Sequence, residues 1–430
     1  MVAGSSMDRP YGESLTAALQ TVSPLAERFA DAGYRLYLVG GVVRDDFLER
    51  PRDDGDYDLT TDARPEAIRA LLDGVADAIW LQGERFGTIG CRLRGREYEI
   101  TTHRSDTYDH QSRKPEVVFG DEIAVDLSRR DFTVNAMAVD AVTGDLLDPF
   151  HGVDDLRQGR LRTPSGPEIS FNDDPLRMVR AARFIATLGL VADPDLISAA
   201  ARLRSRLKIV AVERIREELD KIVVLPDPHP GVAFLAETGL LGELLPELAE
   251  AEPTQLGQAL RRVEPQTSMR WAALLGDVAG PEAQAVLVRL KPSKRMADEV
   301  TWYLRAAQWT QSSDGPQGAA DLRRLAVAGP EGHSVEDLLV FASDLHEHPT
   351  WLVEQLALLE ELQRQEPDFH QPVPALSGGQ IADLLGIEPG PSIGDAHRML
   401  ADHRFDFGPV GPAEAEQLVR EWWARVSQSD

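Results

Sequence analysis

The segments Tyr37-Leu38-Val39-Gly40-Gly41-Val42-Val43-Arg44-Asp45 and Asp56-Tyr57-Asp58-Leu59 decide the fold. In the first, an apolar run enters a Gly-Gly pair and continues into apolar residues and an arginine. This order predicts a strand, a tight turn and a helix. In the second, acidic and apolar residues alternate, which is typical of a strand. Together the two segments predict an α/β region near the N-terminus.

Asp56 and Asp58 are the candidate catalytic and metal-binding residues. Residues i and i+2 of a strand point to the same face, where two carboxylates repel each other unless a cation lies between them. Mg²⁺ prefers oxygen ligands and leaves positions for substrate phosphates, and two such ions about 4 Å apart can activate an attacking hydroxyl and hold a triphosphate. Glu99, in a further predicted strand, is a candidate third ligand. The alternative for these residues is an exposed acidic strand edge.

Two segments offer groups that bind the sugar and phosphates of a nucleotide. Gly40, Gly41 and Arg44 lie where a helix begins, so that backbone N–H groups and a guanidinium can meet a phosphate. The segment Arg129-Arg130-Asp131-Phe132-Thr133-Val134-Asn135-Ala136 offers arginines to a triphosphate and a carboxylate to a ribose hydroxyl. The alternatives are a Gly-Gly turn that binds nothing and a salt-bridged strand entry.

A further segment, Asp173-Asp174-Pro175-Leu176-Arg177-Met178-Val179-Arg180-Ala181-Ala182-Arg183, predicts a helix with Asp174 near its N-cap and Pro175 in its first turn. Three arginines continue along one helix face: Arg177, Arg180 and Arg183. A carboxylate that accepts from an amino group, next to an arginine that donates to ring acceptors, can read the edge of a base. The alternative is a capped helix with solvated arginines.

The composition restricts the class of protein. A length of 430 residues predicts two to four domains, and 43% hydrophobic and 27% charged residues are typical of a soluble globular protein. The apolar runs are too short to cross a bilayer, and residues 1–12 are expected to be a disordered lead-in without the apolar region of a signal peptide. The one cysteine, Cys91, excludes an intrachain disulfide and a cysteine-based zinc site and fits a reducing cytoplasm.

The net charge of −26 is unusual for a protein that binds nucleic acid, since such proteins usually carry a basic surface. Two explanations remain open. Either the partner is not a polyanion, or the basic residues are concentrated on one face. Arginine, which supplies nearly all of the positive charge, is suited to bidentate phosphate contacts.

Together these segments resemble the class II tRNA nucleotidyltransferase (CCA-adding) and bacterial poly(A) polymerase family, within the DNA polymerase beta-like superfamily. The resemblance covers nearly the whole chain. The segments from 40 to 45 and 56 to 58 are similar to the catalytic motif, 129–136 to the ribose-binding motif and 173–183 to the template for the incoming base. Gly152-Val153-Asp154-Asp155-Leu156 resembles the head–neck connector, and residues 212–219 resemble the following neck helix.

The resemblance implies an α+β fold, in which a polymerase-beta-like head with a mixed sheet precedes an all-α neck, body and tail. The implied domains are a catalytic head at 13–150, a neck with the template helix at 151–225, a body at 226–370 and a tRNA-binding tail at 371–430. Asp56 and Asp58 would bind Mg²⁺, and Asp174 and Arg177 would pair with the Watson–Crick edge of CTP or ATP. The remaining nucleotide contacts would be these: Gly40, Gly41, Arg44, Arg130, Asp131, Arg180 and Arg183. The family usually has Glu-Asp where this chain has Asp173-Asp174, which leaves the supporting role of the first acid open.

Three segments bear on the subtype. Leu376-Ser377-Gly378 with residues 385–394 resembles the tail of CCA-adding enzymes rather than that of poly(A) polymerases. Residues 104–126 are similar to the loop that helps the pocket switch from CTP to ATP, and their length favours competence for A addition. Gly276 stands where some relatives have the histidine of a phosphohydrolase domain, so we expect no second activity.

The resemblance therefore implies template-independent addition of CMP and AMP to the 3′ end of tRNA, with release of pyrophosphate. The helical remainder would hold the acceptor arm by its shape. Four basic residues are candidate phosphate contacts, or else a solvated charge run: Arg202, Arg204, Arg206 and Lys208. Alternatives are a poly(A) polymerase, an enzyme that adds only CC or only A, an inactive RNA-binding protein and a nucleotide sensor. The oligomeric state is not predicted.

Overall fold

A mixed seven-stranded sheet organises the first part of the chain. Its strands lie in the spatial order β3 (Ala78–Trp80), β4 (Thr88–Leu93), β5 (Arg96–Thr102), β2 (Asp56–Thr61), β1 (Leu36–Val39), β8 (Ala138–Asp140) and β9 (Leu146–Leu147). Strands β2 and β5 are parallel, and the other neighbours are antiparallel. Two small sheets pair β6 (Arg104–Thr107) with β7 (Glu116–Phe119) and β10 (Arg160–Leu161) with β11 (Val191–Ala192). The predicted mixed sheet is confirmed.

Helices dominate after residue 150, as predicted. Up to residue 244 the α-helices are α1 (Glu13–Asp31), α2 (Gly41–Phe47), α3 (Pro65–Leu72), α4 (Ile123–Ser128), α5 (Gly152–Gln158), α6 (Pro167–Asp173), α7 (Leu176–Leu188), α8 (Pro194–Leu203), α9 (Val212–Val223), α10 (His229–Glu237) and α11 (Leu240–Leu244). Short 3-10 helices cover Glu84–Phe86, Thr133–Asn135, Arg204–Ile209 and Pro246–Leu248. The later helices are α12 (Pro253–Arg262), α13 (Thr267–Leu274), α14 (Gly280–Leu290), α15 (Lys294–Ala307), α16 (Ala319–Ala328), α17 (Val335–Leu345), α18 (Thr350–Gln365), α19 (Gly378–Leu385), α20 (Pro391–Phe407) and α21 (Pro412–Val426).

The computed structural model describes residues 11–50, 56–107, 116–309, 315–316, 318–347 and 350–427. The chain divides into two compact units, Met1–Gly257 and Gln258–Asp430. The finer boundaries predicted at 150, 225 and 370 stay predictions. Most of the lead-in at 1–12, and residues 108–115 of the segment similar to the switching loop, lie outside the described residues.

A local sequence signal explains the turn between β4 and β5. A hairpin joins β4 to β5 through Arg94 and Gly95, whose φ angles of 53° and 77° are both positive. Two successive positive φ angles are typical of a type I′ turn, whose twist matches that of the flanking strands. The hairpin places Glu99 of β5 next to Asp58 of β2 in the parallel register.

Each unit has its own apolar core. In the first, Leu15 and Phe29 of α1 and Leu38 of β1 are all fully buried. In the second, Trp271 and Phe341 have about 1% of their surface exposed. Helices α19 to α21 enclose a further cluster, formed by Leu376, Ile381, Ala396, Leu400, Ala415 and Val419. Within the described residues, none of the helices has the length and apolar character needed to cross a membrane.

The tail motif has a structural explanation. The Oγ of Ser377 accepts a hydrogen bond from the backbone N–H of Gln380, and the Gln380 side chain accepts from the backbone N–H of Ser377. This capping box satisfies donors that the first turn of α19 would otherwise leave unpaired. Leu376, directly before it, is buried in the core of the tail. The Leu-Ser-Gly segment therefore fixes the start of α19.

Candidate nucleotide-binding and catalytic site

A cavity of about 560 Å³ in the first unit collects most of the predicted site residues. Ten of the twelve predicted residues line it, and the exceptions are Asp56 and Glu99. The lining residues are Gly40, Gly41, Arg44, Asp58, Arg129, Arg130, Asp131, Asn135, Asp174, Leu176, Arg177, Arg180, Arg183, Phe184, Arg214, Glu217 and Glu218. Seven of these are arginines and five are carboxylates, so the cavity is locally positive in a chain of net charge −26.

The turn between β1 and α2 forms one wall. Gly40 has φ 70° and ψ −132°, a conformation that glycine adopts readily and other residues rarely do. A Cβ at this position would lie 3.4 Å from Oδ2 of Asp58, so the turn lies close to that carboxylate. Arg44 donates from Nη1 to Oδ1 of Asn135 at 2.7 Å and from Nε to Oδ1 of Asp45 at 2.8 Å. These bonds fix its guanidinium at the cavity wall.

Three carboxylates face one another across β2 and β5. Asp58 is paired in register with Glu99, and Asp56 with Glu97, and neighbouring strands lie about 4.8 Å apart. Burial raises the pKa of Glu99, and the charges of Asp58 and Asp56 raise it further. The two aspartates are therefore close enough to disfavour the charged form of Glu99.

A divalent cation between Asp56 and Asp58 would relieve this repulsion, and both side chains are exposed on the strand. Among the described residues, the structure holds no cluster of three or more His, Cys, Asp or Glu side chains arranged around a metal. Magnesium sites often use only one or two carboxylates together with substrate phosphates, so the aspartate pair fits such an ion. Glu99 as a ligand stays a prediction.

Asp131 is held in its ionised form by two neighbours in the cavity. Its Oδ2 accepts from Nη2 and Nε of Arg180 at 2.6 and 3.0 Å, and its Oδ1 accepts from Nδ2 of Asn135 at 3.0 Å. Burial alone would raise the pKa of Asp131, but Arg180 and Asn135 outweigh it and lower the pKa to about 2. Asp131 is therefore ionised throughout the physiological range.

Helix α7 presents its arginines to the cavity in fixed positions. Arg177 is only 9% exposed, and it donates from Nη1 to Oγ of Ser170 at 2.8 Å and from Nη2 to the carbonyl of Arg129 at 2.6 Å. Arg183 donates to Glu218 at 2.7 Å. The alternative of a solvated arginine stripe is thus wrong for this helix.

Asp174 lies directly before α7 and is held from two sides. Its Oδ1 accepts from the backbone N–H of Leu176 at 3.1 Å, and its Oδ2 accepts from Nη2 of Arg214 at 3.1 Å. Pro175 occupies the N-cap position itself. The predicted base-reading pair, Asp174 and Arg177, therefore lies at the start of one helix with both charged groups oriented by neighbours.

Several lining residues were not singled out from the sequence. Arg214, Glu217 and Glu218 come from α9, where Ile215 and Leu219 are buried. Charged residues on such a helix usually mark a solvated face, but Glu218 is only 4% exposed and pairs with arginines of α7. The spacing of these three residues predicts that they share the polar face of α9. It does not predict that this face lines a cavity.

The four basic residues proposed for phosphate contact do not line the cavity. Three pair with polar groups of α6 or α11: Arg202 with Glu168, Arg206 with the carbonyl of Asn172 and Lys208 with Glu243. Arg204 donates to the carbonyl of Ala201 at 2.6 Å. These contacts connect helices of the first unit, and contact with phosphate stays a prediction.

Comparison with known proteins identifies the family. Residues 36–162 match the family described as "Poly A polymerase head domain", and residues 189–252 match "Probable RNA and SrmB- binding site of polymerase A". The CCA-adding enzyme of Streptococcus gordonii is 31% identical over 387 residues, which cover 89% of this chain and 92% of that protein. The chain belongs to the CCA-adding enzyme family.

Two further similarities extend this assignment. The CCA-adding enzyme of Geobacillus stearothermophilus is 36% identical over 286 residues, which cover 66% of this chain and 69% of that protein. The crystal structure of the Bacillus stearothermophilus CCA-adding enzyme in complex with CTP superposes with a TM-score of 0.73 at 26% identity and covers 95% of this chain and 99% of that one. The resemblance inferred from the motifs and the predicted fold class are confirmed. Nucleotidyltransferases of this superfamily generally use a divalent metal ion.

Proposed function

We propose that this protein adds CMP and AMP, taken from CTP and ATP, to the 3′ end of tRNA without a nucleic-acid template. The observation that carries the proposal is one cavity that gathers a carboxylate–arginine pair at a helix start, further arginines and Asp58. Similarity to CCA-adding enzymes over 89% of the chain supports it. So does the structural likeness to a CCA-adding enzyme that binds CTP.

Asp174 and Arg177 are proposed to select the base. Cytosine and adenine each present an exocyclic amino group beside a ring nitrogen that accepts hydrogen bonds, whereas uracil and guanine present a carbonyl beside a ring N–H. A carboxylate next to a guanidinium complements the first pattern and leaves two mismatched pairs with the second. Ser170 and the Arg129 carbonyl hold Arg177 in place. Because cytosine and adenine share the same hydrogen-bonding pattern, one pair can serve both CTP and ATP.

The other arginines are proposed to bind the triphosphate. The cavity that Asp58 lines is also lined by Arg44, Arg129 and Arg130. Arginine forms two parallel hydrogen bonds with phosphate oxygens and keeps its charge at any physiological pH. These side chains would orient the α-phosphate so that the terminal 3′-hydroxyl of tRNA attacks it and pyrophosphate leaves on the opposite side.

Asp56 and Asp58 are proposed to hold the divalent ion, Mg²⁺. When bound, the ion supplies a positive charge that assists ionisation of the hydroxyl and stabilises charge on the phosphates. Without it, the two carboxylates would repel the triphosphate. The arginines that line the cavity would hold the phosphates of the nucleotide while the ion compensates the charge of the two carboxylates.

The domain boundaries remain part of the proposal: a catalytic head at 13–150, a neck at 151–225, a body at 226–370 and a tail at 371–430 that binds the acceptor arm of tRNA. A cytoplasmic location fits the single buried thiol of Cys91, because a chain with one cysteine cannot form an intrachain disulfide.

The decisive experiment incubates the protein with tRNA that ends at the discriminator base, at -C or at -CC, with CTP and ATP added separately. Full CCA addition predicts CMP on the first two substrates and AMP on the third. Incorporation only on the -CC end reduces the function to A addition, and repeated AMP addition to any RNA indicates a poly(A) polymerase. No labelled product on any substrate rejects the transferase.

The metal assignment is tested separately with Asp56→Ala, which we expect to abolish turnover. Asp62→Ala is the matched control, because Asp62 directly follows the same strand and pairs with Arg35 outside the cavity. Near-normal activity of Asp56→Ala contradicts the assignment.

A further inference from the structure

Asp126 is a buried carboxylate that lies behind the cavity wall. It belongs to α4 and has no exposed surface. Its Oδ1 accepts from Nη2 and Nε of Arg129 at 2.5 and 3.1 Å, and its Oδ2 accepts from Nη2 of Arg130 at 3.2 Å. Arg129 and Arg130 both line the cavity, whereas Asp126 does not. One carboxylate therefore holds two neighbouring guanidinium groups from the protein side.

The charge of Asp126 is balanced by these two arginines. Burial alone would raise its pKa, but Arg130 and Arg129 outweigh burial, so the net shift is downward. The neighbouring His103 is fully buried, and burial lowers its pKa, so it is neutral at pH 7 and contributes no compensating charge. The ion pairs of Asp126 thus persist at neutral pH.

Arg129 also connects the phosphate side of the cavity to the base side. Its side chain is held by Asp126, while its backbone carbonyl accepts from Nη2 of Arg177 at 2.6 Å. A rotation of the chain at this residue would displace both groups. The backbone at 129 is therefore fixed from two directions, by a buried carboxylate and by the proposed base-reading arginine.

We propose that Asp126 is a positioning residue for nucleotide binding, which holds Arg129 and Arg130 in the orientation that meets the triphosphate. The inference rests on the proposed function, since it takes the cavity to bind a nucleoside triphosphate. An unrestrained arginine side chain loses rotational freedom when it binds a phosphate, and this loss weakens binding. Because Asp126 already restrains Arg129 and Arg130 in the free protein, less freedom is lost on binding. Asp126 contacts the two arginines that are proposed to bind the phosphates. Because CTP and ATP carry the same triphosphate, we expect the same effect on both.

The test measures equilibrium binding by calorimetry, without tRNA, for Asp126→Asn against the unmodified protein. The probes are CTP, ATP and inorganic tripolyphosphate. Ordering two arginine side chains anew weakens binding by about 10- to 100-fold, and we expect a similar factor for all three probes. Glu366→Gln is the matched control, because Glu366 is a buried carboxylate that pairs with Arg323 in the second unit. It should leave all three affinities unchanged.

A second comparison separates positioning from a general loss of structure. Asp126→Asn is added to a variant in which Arg129 and Arg130 are both alanine. If Asp126 acts through these arginines, the added substitution changes the tripolyphosphate affinity by less than about twofold. A further loss as large as that in the unmodified background overturns the inference, as does unchanged affinity of Asp126→Asn alone.

Thermal unfolding is recorded for each variant. If Asp126→Asn is unfolded at the assay temperature, Asp126→Glu replaces it, since it keeps the charge but displaces the carboxylate by one methylene group. Weaker tripolyphosphate binding then supports the inference, and unmodified affinity rejects it. If the unmodified protein binds the three probes but transfers no CMP or AMP to tRNA, only the proposed function fails.

Discussion

Replacing Asp131 with asparagine removes the negative charge that holds Arg180 at the cavity. The size of the side chain is nearly unchanged. The magnitude follows from the pKa of Asp131, which the folded protein lowers from 3.8 to about 2. One pKa unit corresponds to about 1.4 kcal/mol, so the charged form is stabilised by roughly 2–3 kcal/mol relative to the unfolded chain. Arg180 would retain its longer contact with Glu218, at 3.5 Å.

The assay is thermal unfolding followed by circular dichroism at pH 7, with the transition of the first unit compared between the two proteins. For units of 150–250 residues, 1 kcal/mol shifts Tm by about 2–4 °C. We therefore expect Asp131→Asn to lower Tm by roughly 5–10 °C. We also expect weaker nucleotide binding, because Arg180 lines the cavity.

The effect of Asp131→Asn on stability is expected to depend on pH in one direction. A carboxylate whose pKa is lowered on folding stabilises the folded state at any pH above its unfolded pKa, and this stabilisation is lost as the pH falls towards the folded pKa. The difference in stability between Asp131→Asn and the unmodified protein should thus be constant from pH 8 to 5 and shrink only between about pH 4 and 2. An unchanged Tm at pH 7, or a difference that already shrinks between pH 8 and 6, would refute the reasoning.

Three further results are expected. Ser170→Ala removes an acceptor of Arg177, so it should lower kcat/KM for CTP and ATP and reduce their preference over UTP in steady-state kinetics; an unchanged ratio contradicts base selection by Arg177. Gly40→Ala forces a side chain into a conformation that costs about 1–3 kcal/mol and places Cβ near Asp58, so both Tm and activity should fall, and a normal Tm rejects the strained turn. Chelation of divalent ions by EDTA should stop transfer, with recovery on addition of Mg²⁺; transfer that persists in excess EDTA rejects the metal.

The elements that could be predicted from the sequence depend on local signals. Helix α3 begins at Pro65 and α8 at Pro194, and proline is favoured in the first helical turn because it lacks the N–H that would be unpaired there. The turn between β4 and β5 depends on Gly95, and the turn into α2 depends on Gly40. Such signals lie within a few residues of the structure they determine.

The candidate site was predicted to the extent that its residues form short motifs. Ten of the twelve predicted residues line one cavity because four motifs, at 40–44, 56–58, 129–136 and 173–183, converge in the first unit. What joins these motifs is not local. Arg180 pairs with Asp131, 49 residues away, and Arg183 pairs with Glu218, 35 residues away. Periodicity carries no information on such pairs, so Glu218 reads as one more charge on an amphipathic helix.

The arginine face of α7 is a second case in which the sequence pattern alone does not determine the environment of the side chains. Arginines spaced by one helical turn are compatible with a solvated face or with a binding surface, and the choice depends on what packs against the helix. In the folded chain Arg177 is buried against Ser170 and the backbone at residue 129. Burial of an arginine requires partners for its donors, and these come from α6 and from the end of α4, which no pattern within α7 reveals.

A chain of net charge −26 can bind an anionic substrate because most of its acidic residues are too far from the cavity to repel it. At physiological ionic strength, charges more than about 8 Å apart are largely screened from each other, so a triphosphate in the cavity interacts mainly with the side chains that line it. There, seven arginines exceed five carboxylates, and two of those carboxylates, Asp131 and Glu218, are already paired with arginines of α7. The acidic surface elsewhere contributes little at this range. Attraction for the nucleotide is thus a property of the cavity, and the total charge of the chain does not predict it.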